Sequence, residues 1–310
     1  MTQTNIFAGT RTGLLAALLL IALCAASGSA LAGDDSPVAD GAKLRLVSDQ
    51  FEFTEGPAAD RNGNVFFTDQ PNNRIWEYDT DGKLSLFMDG AGRSNGLFFD
   101  ADGNLVSAAD LHGELWSIGP DKQVSVLVKD YQGHRLNGPN DLWIDPRGGI
   151  YFTDPYYQRD YWTRTQPDID QQRVYYRTPD GLRVIAVASD LEKPNGIIGT
   201  PDGKTLYISD FGGKKTYRYT IDDDGQLSDK TLFTAMGSDG MTMDANHNLY
   251  LTGHGVTIFN QGGDKIGHIA VDEEWTGNVT FGGADDRTLF ITASDSLYTL
   301  RMNVRGASAP

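Results

Sequence analysis

The chain is poor in the residues on which most thiol and zinc enzymes depend. It has one cysteine and five histidines in 310 residues. The cysteine, Cys24, ends an apolar stretch of 11 residues from Leu14, too short to cross a bilayer. Arg11 precedes this stretch, Ala30-Leu31-Ala32 follows it as a small-residue cleavage signal, and Asp34 and Asp35 come directly after. Residues 1–32 therefore read as a secretory signal peptide, and the mature chain is expected to be periplasmic or secreted. A lipid anchor on Cys24 is the rival reading, although Leu23 is bulky where a small residue is expected. After ordinary cleavage no cysteine remains, which excludes disulfides and thiol chemistry, and no membrane anchoring is expected. His112, His134, His247, His254 and His268 are scattered without ligand spacing, which disfavours zinc. For His112 and His254, bordering a pocket is the alternative to a surface or packing role.

Positive charge is also scarce. Lys and Arg number 26 against 42 Asp and Glu, and the net charge is −16. Loss of a leader with one basic and no acidic residue takes this to −17. Such a surface argues against nucleic acid and anionic membranes, leaving a small molecule as the expected partner. No G-x-S-x-G nucleophile motif is present; Gly237-Ser238-Asp239-Gly240 comes nearest and does not match. No G-x-G-x-x-G precedes a helix, so dinucleotide binding has no support. No long stretch has helical periodicity.

What the chain does have is a repeat. Polar lead residues recur in Glu55-Gly56, Asn95-Gly96, Asn140-Asp141, Asn195-Gly196, Asp239-Gly240 and Asn278-Val279, spaced 40, 45, 55, 44 and 39 residues apart. Eight residues after each lead stand Gly63, Gly103, Gly148, Gly203, His247 and Asp286, and a second strand-like run follows every time. A period in this range predicts propeller blades of about four strands. The fold class is all-β, a six-bladed β-propeller over residues 43–310, with blades near 55–90, 95–130, 140–188, 195–235, 239–272 and 278–303. Residues 33–42 form a polar linker. The last blade lacks a strand, and the run from Lys43 to Phe53 is the expected donor that closes the ring. Blade three carries an extra segment, Asp154 to Arg173, rich in Tyr, Trp and Arg. Pro155 and Pro167 make it a loop or short helix over one face, either a substrate wall or a loop pinned by its aromatics.

Taken singly, an Asn-Gly pair usually reads as a turn. Here the pairs are expected before the first strand of each repeat rather than inside hairpins. Equivalent blades would then set one Glu, one Asp and four Asn around a central axis. That donor set suits a hard cation, calcium first, with other divalent ions (magnesium, manganese or zinc) as alternatives.

At these residues the chain resembles the regucalcin (senescence marker protein)/gluconolactonase family of six-bladed propellers. The stretches that carry the resemblance are Phe53-Thr54-Glu55-Gly56-Pro57, Leu136-Asn137-Gly138-Pro139-Asn140-Asp141-Leu142, Lys193-Pro194-Asn195-Gly196-Ile197, Ser238-Asp239-Gly240-Met241 and Asn278-Val279-Thr280-Phe281-Gly282-Gly283. The resemblance implies a divalent cation, commonly calcium, held by Glu55, Asn140, Asn195 and Asp239, with Asp239 as base or nucleophile. Diisopropyl fluorophosphatase looks similar around its calcium. Thr280 stands where that enzyme has a histidine, and Gly138 where regucalcin has an arginine; Arg135 or Arg159 could supply a cation instead.

The expectation is a calcium-dependent lactonase, a carboxylic ester hydrolase opening a sugar lactone. Asp239 takes a proton from water, and Glu55 mainly holds metal. Asn95, Asn137, Asn278, Arg135, Tyr156 and Arg159 are the candidates to bind substrate. The rivals are an arylesterase or phosphotriesterase on the same metal, a noncatalytic ligand-binding propeller, and lyase or isomerase chemistry on a sugar acid.

Overall fold

The structure, a computed structural model, describes residues 36–307. The proposed leader, Cys24 and the first part of the linker lie outside the described residues. Within them every regular element is a strand, arranged in six antiparallel sheets of four.

The innermost strands of blades one to six are Thr54–Ala59, Ser94–Phe99, Leu142–Ile144, Pro194–Gly199, Met241–Met243 and Thr276–Gly282. Each is followed by a tight turn whose left-handed position is the one expected from the repeat: φ is +88° at Gly63, +85° at Gly103, +88° at Gly148, +69° at Gly203, +60° at His247 and +56° at Asp286. The second strand then returns with β-branched and aromatic residues, as in Val65–Asp69 and Ile150–Asp154. The core is not central. Six apolar clusters each join two neighbouring blades, for example Val106 and Leu115 with Leu142, Phe152 and Tyr175. Blade-on-blade burial is therefore what closes the ring.

Closure uses both ends of the described chain. The strand Arg45–Ser48 pairs antiparallel with Ser296–Arg301 and completes blade six. This strand stops at Ser48, shorter than the run to Phe53 suggested. Phe51 instead turns inward, with its ring 5.1 Å from Phe67 and 5.4 Å from Trp76. Upstream, Val38 bridges Met302, and the Ala39 N–H donates to Arg301 O at 3.2 Å. At the other end the Ala307 N–H donates to Met243 O at 2.9 Å, reaching blade five. The outer edge of blade six is thereby paired, and the C-terminal end is tied to blade five.

The position of the lead residues differs from the expectation in one respect. Glu55, Asn95, Asn195 and Asn278 lie inside the innermost strands, not before them, and the pairing register shifts at or beside each. Only Asn140 and Asp239 precede their strands, which are three residues long. Pairing continues on both sides because the backbone stays extended, yet it breaks locally where the chain turns a polar side chain toward the axis.

Candidate active site

Six lead residues become one ring through close backbone contact between successive blades. A Cβ on Gly56 would sit 2.0 Å from Asn95 O, and one on Gly96 would sit 2.7 Å from Asn140 O. The equivalent atom on Gly196 would be 2.8 Å from Asp239 O, that on Gly240 2.0 Å from Asn278 Cγ, and that on Gly277 2.9 Å from Glu55 Oε1. Asp141 of blade three bonds to the backbone of Ile197 in blade four, closing the circle. The glycine after most leads is thus required by a neighbouring blade rather than by a turn.

A second device supports the ring. Each second strand places a fully buried hydroxyl behind a lead: Thr68, Ser107, Thr153, Ser209, Thr252 and Thr292. Thr68 Oγ1 donates to Asn95 O at 3.0 Å, Ser209 Oγ to Ser238 O at 2.7 Å, and Thr252 Oγ1 to Gly277 O at 2.7 Å. These hydroxyls recur 12 to 14 residues after the leads, a signal present in the sequence.

Inside the ring, Glu55, Asn195, Asp239 and Asn278 are brought together. Asn195 Nδ2 donates to Asp239 Oδ1 at 2.7 Å, which leaves Asn195 Oδ1 buried without a hydrogen-bond partner. Asn95 Oδ1 is also buried and unpartnered. Glu55 accepts the Gly56 N–H at 3.0 Å and a bond from Asn278. Burial first, then the Asp239 charge, push the Glu55 carboxyl well above its usual range. Burial also raises Asp239, to about 6, against the opposing donors Trp275 and Asn195. Two carboxylates thus face each other in a recess that solvates neither well. Asn140 is buried in the ring, where its backbone O accepts the Gly96 N–H at 2.7 Å.

The ring is not six equivalent oxygens. Asn278 Oδ1 accepts its neighbour's N–H, from Val279, at 2.8 Å, and its amide serves Glu55 and Asp141. Asp141, raised by burial to about 7, belongs to the same cluster. Among the described residues no three His, Cys, Asp or Glu side chains gather as a metal site. The donor set is two carboxylates with amide oxygens, which is suited to a hard ion.

The remaining candidates lie farther out. Segment 154–173 is irregular and crosses the lead-residue end. Arg159 Nε pairs with the buried Asp110 at 3.0 Å, and its charge still reaches Asp239. Tyr161 OH and Trp162 Nε1 also donate to Asp110, latching the segment to blade two. Tyr156 points its hydroxyl to Gln158 at 2.5 Å, and Asn137 is tied to Asp154 and Gln171. Arg135 donates to Leu111 O at 2.7 Å and bonds to no ring residue. Two side chains that do touch the cluster were missed. Tyr157 OH lies 3.1 Å from Asn195 Nδ2, and Trp275 Nε1 donates to Asp239 Oδ2 at 2.6 Å. Adjacent tyrosines differ in nothing a sequence displays, and Trp275 carries no motif.

Two hollows flank the ring. A channel of about 830 Å³ opens toward the opposite face, with Asp141 and Asn278 at its inner end and Leu97, Leu142, Ile197 and Met243 along its wall. At the lead-residue end a cleft of about 630 Å³ is bordered by Phe53, His254, Glu273 and Trp275. His254 does border a hollow, packing edge-on to Trp275 at 5.2 Å.

Residues 53–295 match the family model for the SMP-30/Gluconolactonase/LRE-like region. The chain is 29% identical over 296 residues to a gluconolactonase of Zymomonas mobilis, covering 85% of this chain and 82% of that protein. A solved gluconolactonase of Xanthomonas campestris superimposes with a TM-score of 0.81 at 30% identity, over 86% of this chain and 91% of that one. A calcium-binding protein, the regucalcin of Agrobacterium tumefaciens, shares the fold at 18% identity with a TM-score of 0.73, over 87% and 97%. The chain belongs to the SMP-30/gluconolactonase/LRE-like family.

Proposed function

We propose that this protein hydrolyses a sugar lactone, using a divalent cation, calcium first, held by Glu55, Asn140, Asn195 and Asp239. The observation that carries the metal is the uncommitted, buried carbonyl oxygen of Asn195 beside two mutually repelling carboxylates. An orphaned buried acceptor costs roughly 1–3 kcal/mol, which a hard cation would offset along with the carboxylate repulsion. The relatives named gluconolactonase support the substrate class.

The bound cation would polarise the lactone carbonyl and stabilise charge developing on its oxygen. The chain's own residues do the rest. Trp275 and Asn195 each occupy one oxygen of Asp239, which fixes the carboxylate plane. A remaining lone pair of Asp239 accepts a proton from the attacking water. Glu55, gripped by Gly56 and Asn278, is held in place as a ligand. Segment 154–173 walls the site. The secretory leader expected over residues 1–32 supports a site of action outside the cytoplasm.

The test is pH-stat hydrolysis of a six-membered aldonolactone, corrected for the spontaneous rate. Turnover with calcium, lost on chelation and regained on readdition, is the expected result. No acceleration over buffer with calcium, magnesium or manganese would discard the reading.

A pH dependence follows from the carboxyl pair. The metal-free fold holds protons on carboxyls that the unfolded chain releases near pH 4, so its stability falls as pH rises from about 4 through about 6. A cation needs both groups ionised and must displace those protons. Calcium affinity, read by calorimetry, should therefore weaken at least about tenfold from pH 8 to pH 5.5. An affinity flat over that range would contradict it.

A further inference from the structure

One polar group beside the cluster has no part in the scheme above. Tyr157 OH accepts one hydrogen of Asn195 Nδ2 at 3.1 Å, and the other hydrogen of that nitrogen goes to Asp239. The phenol's own proton has no hydrogen-bond acceptor among the described residues. Of the groups touching Asp239 or Asn195, the Trp275 N–H and the Asn195 amide are already committed, so Tyr157 O–H is the unspent donor. A phenol keeps its proton on oxygen at working pH. Its ring is held by Lys193 Nζ, 4.5 Å from the ring centroid, and by Arg159 Cζ at 5.5 Å. Arg159 is itself fixed by buried Asp110.

Opening a lactone creates negative charge at two oxygens. The carbonyl oxygen develops it on attack, and the ring oxygen as its bond to carbon breaks. The cluster's carboxylates can only accept hydrogen bonds. We propose that the Tyr157 hydroxyl is a catalytic hydrogen-bond donor to the departing ring oxygen, an inference that rests on the lactonase reading. The water oxygen bonds to the carbonyl carbon, and one water proton passes to Asp239. The carbon–ring-oxygen bond breaks with its electron pair on the ring oxygen, which Tyr157 stabilises. The proton held by Asp239 then ends on that oxygen as the new hydroxyl, and the other water proton leaves as the new carboxyl ionises. The phenol is unchanged over the cycle.

Tyr157→Phe tests this, since it keeps the ring against Lys193 and Arg159 and removes only the donor. On an aldonolactone with saturating calcium, kcat should fall about 10- to 100-fold, near the low end for loss of one preorganised donor. KM should stay within about threefold, because an ester ring oxygen is a weak acceptor before the bond breaks. Thermal midpoint and calcium affinity by calorimetry should match the parent protein. A kcat within about threefold of the parent overturns the proposal. So does a fall in kcat that tracks a loss of calcium affinity, which would mean that Tyr157 acts through Asn195. Parent protein that turns over no lactone fails the lactonase reading itself, and this inference with it.

Discussion

Replacing Asp239 by Asn is expected to cut lactone turnover by about a hundredfold or more at saturating calcium, the scale of losing a general base. The amide matches the carboxyl in shape, so Trp275 Nε1 keeps an oxygen to donate to, and the indole stays packed on Phe211 at 5.9 Å. What disappears is the negative charge and the lone pair that takes the proton. The variant has a second signature that separates it from a folding defect. Asp239 raises the Glu55 carboxyl through its charge, so its removal relieves repulsion in a buried pair. At pH 8 without metal the variant should therefore melt at or above the parent's midpoint while its calcium affinity falls. An active Asp239→Asn protein, or an inactive one that melts far lower, would remove Asp239 from the role given to it.

The second large effect is on assembly. Gly56→Ala should destabilise the protein by roughly 3 kcal/mol or more, enough to reduce soluble yield sharply. Two costs combine. The backbone at Gly56 has φ +42°, where any side chain is disfavoured. The added carbon would also lie 2.0 Å from Asn95 O and 2.7 Å from Gly96 Cα, both main-chain atoms that cannot rotate away. Relief requires blade two to move, and the ring transmits that shift to every lead residue. Denaturant unfolding of purified protein reads the cost directly. A midpoint within measurement error of the parent would show that blades one and two do not approach as described. Half-buried Gly103, with φ +85° but open space around it, is the control: alanine there meets only the backbone term and should cost about 1 kcal/mol.

The two glycines show why part of the site was legible and part was not. Gly103 ends a hairpin, and its requirement is local, so an eight-residue offset reveals it. Gly56 answers to a residue 39 positions away, and the sequence offers Glu-Gly-Pro as an ordinary turn. The blade period, the closing N-terminal strand and the grouping of Glu55, Asn195 and Asp239 follow from spacing because every blade repeats one register. The substrate wall does not repeat. Tyr157 rather than Tyr156 reaches Asn195 because the 154–173 segment is anchored by Asp110, a residue of another blade. Arg135, a plausible cation for substrate, is instead occupied with Leu111 O. Trp275 meets Asp239 across a blade boundary, a contact that no local pattern announces.

The sequence by itself determined the number of blades, the offset of the turn after each first strand and the recurrence of a polar lead residue in every blade. These depend on alternation, chain-local sterics and repeat length, all of which survive in a linear reading. Only the tertiary structure decided which oxygens remain free and which are consumed: Asn195 keeps its carbonyl open, whereas Asn278 folds its own onto Val279. Hydrogen bonds are exclusive, and a group's partner is set by whichever neighbour three-dimensional packing brings first, often from dozens of residues away. The same packing, through burial, gave the Glu55 and Asp239 carboxyls their raised pKa values, for desolvation belongs to a place in space and not to a position in a chain.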